Sequence, residues 1–206
     1  MIAVVDYGVN NVASVVRALA AAGHAATLTS DPDTVRRADR VLLPGVGHFA
    51  RARQNLAERG LDAAVLEVAG AGRPVMGICL GMQLCCRQSE EAPGVAGLGL
   101  LPADVARFRT ALHVPHVGWA RVMPTPAGRA HAVTGPLLGD EGTFYYHVHS
   151  FHPIDVPDDV ALGTGDYDGS FVTLLGHANV LGAQFHPEKS QAAGIALLDG
   201  FARWAP

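Results

Sequence analysis

Apolar residues along the 206-residue chain follow two rhythms, and the change falls near Pro93. Before it, short continuous apolar runs alternate with stretches at helical spacing. Ile2-Ala-Val-Val-Asp6 is an apolar run closed by a carboxylate, which suits a central parallel strand buried on both faces. Tyr7-Gly-Val-Asn-Asn11 is a turn, and Val12 to Ala22 reads as a helix that Gly23 stops. Ala25 to Thr29 is a second strand, and Asp31-Pro32 opens a short helix at Ncap and N1. Arg40 to Leu43 is a third strand; helices follow from Phe49 to Arg59 and from Leu61 to Ala71. Pro74 to Ile78 is a fourth strand, with a helix opening at Leu80. This βαβα alternation predicts a doubly wound, parallel sheet. Right-handed crossovers bring its strand C-termini to one edge, where such sheets bind ligands. Asp6, the Pro44–Gly47 loop and Cys79 fall there.

After Pro93 the strands Val105–Phe108, Val117–Val122, Thr143–His149, Ala161–Gly165, Phe171–Leu175 and Val180–Phe185 have no long helices between them. They read as antiparallel additions to the sheet. Turns fall at Asp168-Gly169 and His177-Ala-Asn179, and an amphipathic helix from Gln191 to Trp204 closes the chain. The expectation is one α/β domain over residues 1–206: a flavodoxin-like doubly wound, mostly parallel sheet with antiparallel additions.

A hydrophobic content of 49% argues against disorder, and a net charge of −4 gives no reason to expect nucleic acid or an anionic membrane as partner. The three cysteines, Cys79, Cys85 and Cys86, lack C-x-x-C spacing, so neither a disulfide framework nor a structural zinc is expected. Residues 1–20 lack a basic leader, and no apolar run reaches spanning length. The expectation is a soluble, cytoplasmic protein.

The segment that carries chemistry is Pro74-Val-Met-Gly-Ile-Cys79-Leu-Gly-Met-Gln83. Glycines two residues either side of Cys79 give the spacing of a nucleophile elbow, with Cys in place of Ser. A sharp strand-to-helix turn exposes the thiol at a helix N-terminus, where the dipole favours thiolate. A buried cysteine in a glycine-containing turn is the plainer alternative. Phe185-His-Pro-Glu-Lys-Ser190 stands at the end of a strand, with His186 and Glu188 two apart. A thiol nucleophile needs a base near neutral pKa, and the imidazole needs a carboxylate to set its tautomer. Cys79, His186 and Glu188 supply one each. Pro44-Gly-Val-Gly47 leaves backbone N–H groups bare beside the elbow, suited to an oxyanion hole. His147, His149 and His152 invite a metal reading, but no acidic or thiol ligand follows at useful spacing, so no metal is expected. Neither a P-loop nor a dinucleotide fingerprint is present.

Gly77-Ile-Cys-Leu-Gly-Met-Gln83 together with Phe185-His-Pro-Glu-Lys-Ser190 resembles the class I, triad-type glutamine amidotransferases. Asp6-Tyr-Gly, Leu43-Pro-Gly-Val-Gly47, Gly97-Leu-Gly-Leu-Leu-Pro102, Val114-Pro-His-Val-Gly-Trp119 and His149-Ser-Phe151 resemble the glutaminase-subunit family of imidazole glycerol phosphate synthase. The resemblance implies that Cys79 attacks the amide of L-glutamine, with His186 as base and Glu188 orienting it. It places the oxyanion on backbone N–H groups of Val46, Gly47 and Leu80. It places bound glutamine against Gln83, His149 and Ser150. It implies no cofactor. It also implies a heterodimer with a barrel cyclase subunit (HisF), contacted through Asn11 and Lys189, which receives the ammonia to make imidazole glycerol phosphate and AICAR in histidine biosynthesis. In the family the glutaminase is nearly idle until the liganded partner rearranges the Pro44–Gly47 strand. Asn10, His48 and Ala120 depart from the family pattern, and His48 is expected to bring a second titratable group near that strand. The alternatives are an amidotransferase of the anthranilate or aminodeoxychorismate type, a stand-alone cysteine hydrolase, and a non-catalytic flavodoxin-like interaction module.

Overall fold

The computed structural model describes residues 1–206. The first half folds as β1 (Ile2–Val5), α1 (Val12–Ala21), β2 (Ala26–Thr29), α2 (Pro32–Arg37), β3 (Arg40–Leu43), α3 (Phe49–Glu58), α4 (Leu61–Gly70), β4 (Val75–Ile78) and α5 (Leu80–Cys85). Then come β5 (Asp104–Arg107), β6 (His116–Pro124), α6 (Pro126–Ala130), α7 (Thr134–Leu138), β7 (Thr143–His149), β8 (Phe151–Ile154), β9 (Ala161–Asp166), β10 (Ser170–His177), β11 (Val180–Ala183) and α8 (Gln191–Arg203). A single 3-10 turn, Pro187–Lys189, links β11 to α8.

The main sheet has nine strands in the order β2-β1-β3-β4-β11-β10-β9-β6-β7. Its first five strands run parallel, as the alternating pattern requires. All of β1 is buried, and its residues divide by parity. Ala3 and Val5 join one core with Phe49, Leu56, Leu61 and Val65; Ile2 and Val4 join the other with Leu19, Leu197, Leu198 and Phe201. Alternate side chains of one strand thus feed two helix layers, the physical content of double winding. Local signals hold as well. Asp31 caps α2 by accepting from the amides of Asp33 and Thr34, with Pro32 in the first turn.

Two expectations need correction. β11 is not a plain antiparallel addition: it runs parallel to β4 and antiparallel to β10, so it joins the two halves of the sheet. β5 is outside the main sheet and pairs with β8 in a separate two-stranded ladder. β8 itself was not expected, because Pro153 weakens the strand signal; such a residue is tolerated in an isolated ladder of this kind. Helices α6 and α7 also went unread, although Thr125 caps α6 through Gly128 N–H with Pro126 next to it.

Candidate active site

The site forms where β4 and β11 end side by side, with Ile78 opposite Ala183 in register. Cys79 follows β4 directly, with φ 52° and ψ −112°. That left-handed backbone in a non-glycine residue is strained, and the surroundings enforce it. Cys79 N–H donates to Ala183 O at 2.7 Å, and Gln83 N–H returns to Cys79 O at 3.0 Å. A Cβ on Gly77 would stand 2.5 Å from Met82 Cα, and one on Gly81 would run into the Leu43 carbonyl. The expected need for glycine at both flanks is therefore met. Helix α5 has only six residues, so its dipole is small.

His186 follows β11 and is buried. Its amide donates to Tyr146 O at 2.9 Å, and Ser190 Oγ donates to its carbonyl at 2.7 Å. Nδ1 lies 2.6 Å from Glu188 Oε1, and both side chains are shut off from solvent. A carboxylate only accepts, so in the neutral ring Nδ1 carries the proton and Nε2 is the acceptor. Nε2 has no hydrogen-bond partner at normal distance. Burial works against the imidazolium, but attraction to Cys79 and to Glu188 outweighs it and lifts the His186 pKa to about 9.

Cys79 and His186 line a cleft of about 410 Å³ together with Val46, Gly47, Leu80 and Gln83. His149, Ser150 and Lys189 line it too, so nearly all the residues singled out from the sequence meet in one place. The fit is incomplete in four ways. Leu80 N–H already donates to Gly45 O at 3.3 Å and is not free. Gln83 Nε2 donates to Gln184 Oε1 at 3.1 Å and to Phe151 O at 3.3 Å. Asn11, expected at a partner surface, donates to Glu188 Oε1 within this chain. His48 is exposed, its Nδ1 caps α3 by accepting from Ala50 N–H at 3.2 Å, and it does not line the cleft.

Two residues were missed. Gln184 is buried between Gln83 and Cys79, and its Nε2 stands 3.8 Å from the sulfur. Its position two before His186 was a usable signal. Glu91 is the cleft's one carboxylate, and it accepts from Phe49 N–H at 2.7 Å at the start of α3. Nothing in its local sequence marked it.

The histidines of β6 and β7 pack as rings. His116 stacks on His147 with centroids 5.1 Å apart, and on Tyr167 at 4.1 Å. His147 is fully buried between Tyr145 O and Thr173 Oγ1. No group of three His, Cys, Asp or Glu side chains is arranged to hold a metal.

The family profile described as Glutamine amidotransferase class-I matches residues 3–202. The chain is 43% identical over 201 residues to the imidazole glycerol phosphate synthase subunit HisH of Moorella thermoacetica, covering 97% of this chain and 93% of that protein. It is 44% identical over 202 residues to the HisH subunit of Symbiobacterium thermophilum, covering 98% and 93%. The chain belongs to the class-I glutamine amidotransferases, in the HisH family. Its activity is that of a glutaminase subunit. Among solved structures, a chain of PurLQS from Thermotoga maritima superposes with a TM-score of 0.78 at 18% identity, covering 98% of this chain and 96% of that one. The fold of this HisH-family chain is thus the class-I amidotransferase fold, with the elbow cysteine at its sheet edge. No helix is long and apolar enough to cross a membrane.

Proposed function

We propose that Cys79, His186 and Glu188 are the catalytic triad of this glutaminase. His186 takes the thiol proton at Nε2 as Cys79 Sγ bonds to the side-chain amide carbon of glutamine. The C–N bond then breaks and the imidazolium gives its proton to the leaving ammonia. Water hydrolyses the thioester to glutamate and frees the thiol. Glu188 holds the ring and stabilises its charge. The observation that carries this reading is the buried His186 Nδ1–Glu188 Oε1 bond of 2.6 Å, which leaves Nε2 unpartnered in the site that Cys79 lines.

The oxyanion falls to the amides of Val46, Gly47 and Leu80 once the Gly45 carbonyl leaves Leu80. Gln83, His149 and Ser150 border the bound glutamine, and Glu91 supplies the negative charge its α-ammonium requires. The ammonia passes to a barrel cyclase partner in the cytoplasm, in a heterodimer. The surface beside the cleft suits such a partner. On β6 and β7, Val117, Trp119 and Phe144 are 55%, 47% and 48% exposed, and Trp119 pairs with Tyr146 across the ladder. Lys189 stands 5.8 Å over the Tyr146 ring, between this apolar face and the cleft. Exposed aromatic surface of this kind marks an interface.

The test is the Cys79→Ala variant in complex with the cyclase. Synthesis fed by glutamine should vanish, while synthesis fed by ammonium salt continues. Retained glutamine-fed synthesis would remove Cys79 from the chemistry.

A further inference from the structure

Asn11 is the N-cap of α1, yet its side chain makes no capping hydrogen bond. An Asn at this position ordinarily accepts from the N–H two or three residues on. Here the residue adopts φ 80°, in the left-handed region, and its side chain turns away from the helix. Its Nδ2 donates to Oε1 of Glu188, 177 residues further along the chain. The amide nitrogen must be the atom that faces the carboxylate, because a carboxylate only accepts. Oε1 thus receives two donors, Asn11 Nδ2 and His186 Nδ1, while Oε2 is buried with no partner. A carboxylate held by the imidazole alone can swivel about its terminal torsion. A second donor on the same oxygen stops that rotation. The neighbouring Asn10 is exposed and makes no such bond.

We propose that Asn11 is a positioning residue of the reaction, fixing the Glu188 carboxylate so that Oε1 meets His186. The proposal rests on the triad reading above. The charged and titratable groups about the pair are few: His186 faces Glu188, and Arg17 of α1 lines the shallow cleft behind it with Ser14 and Gln191.

Two variants test it, each assayed for glutamine hydrolysis in the isolated chain and in the cyclase complex. Asn11→Gly keeps the left-handed backbone and deletes only the amide. Its kcat should fall about tenfold with KM unchanged, the scale of a lost orienting contact. Asn11→Asp keeps size and backbone but sets a second carboxyl against Glu188, and the two share a proton. The protonated Asp still donates to Oε1. The variant-to-wild-type ratio of kcat should therefore drop as pH rises from about 6 to about 9, on the order of tenfold. A merely structural lesion lowers that ratio equally at every pH. A flat ratio, or a loss confined to the complex, would overturn the proposal, the latter by assigning Asn11 to partner contact. Cys79→Ala runs in parallel. If it stays active the triad reading fails; if it is dead while both Asn11 variants match wild type, only the Asn11 assignment fails.

Discussion

The amide of Leu80 donates to the carbonyl of Gly45 at 3.3 Å. In the proposed mechanism Leu80 N–H is the oxyanion donor beside Cys79, and in the isolated chain this bond occupies it. Tyr7 Oη donates to the neighbouring Pro44 O at 2.6 Å and pins the same short segment. Loss of one oxyanion donor lowers kcat by about 10²–10³-fold. The isolated chain should therefore turn glutamine over about that much more slowly than the complex with a liganded cyclase, at similar KM. Steady-state kinetics of both forms decide it, and equal kcat values would show that the Gly45–Leu80 bond does not limit the rate.

Glu188→Gln should leave the fold intact and lower kcat by several orders of magnitude, since it selects the wrong tautomer of His186. The wild-type imidazole holds its proton up to about 9, because Cys79 and Glu188 outweigh burial. A base must shed its own proton before it can take the thiol's, so the acid limb of the wild-type rate profile should rise near that pH. Loss of the carboxylate charge should move the limb to lower pH. A limb at the same pH in both proteins would separate it from this ring.

Acid should destabilise the protein through His147 and His149. Burial lowers the His147 pKa to about 3 and pushes that of His149 well below its ordinary value. Both folded pKa values lie under the unfolded value of about 6.5. Between about pH 6.5 and about pH 3 the unfolded chain binds protons that the native ring refuses, so stability falls as pH falls, by up to about 1.4 kcal/mol per pH unit for each ring. Urea titrations across that range should show the slope. His147→Gln should make it shallower; an unchanged slope would rule that ring out.

Trp119→Ala should weaken cyclase binding by about thirtyfold, the scale of an aromatic hot spot. Glutamine hydrolysis by the isolated chain should stay within about twofold, because Trp119 is 47% exposed and outside the cleft. Calorimetric titration with the cyclase checks the affinity. Wild-type affinity in the variant would move the interface elsewhere.

The parallel half of the sheet was readable because β1, β3 and β4 are short, largely buried apolar runs and because Asp31-Pro32 marks the start of α2. The elbow was readable too, since Gly77 and Gly81 answer a local steric demand that leaves a spacing in the chain. His186 and Glu188 stood out as an imidazole and a carboxylate two apart at a strand end, and the structure brings them within 2.6 Å of each other. What escaped has no local cause. Glu91 acts through a contact with Phe49 N–H, 42 residues away, and Gln184 through Gln83, 101 residues away. The parallel direction of β11 depends on where β10 leaves it, not on its own four apolar residues. His48 looked chemical beside Gly47, but its lone pair closes a helix end instead.

Cys79 and His186, the proposed nucleophile and base, follow two strands that lie next to each other and pair residue by residue. Strand neighbours stand about 4.8 Å apart whatever their side chains. In that reading the ladder acts as a ruler for the reacting atoms, and the intervening chain adds the Tyr146 carbonyl that holds the His186 amide. Loops in that stretch can lengthen, shorten or reshape to suit a different acceptor enzyme while the chemistry that releases ammonia stays in place.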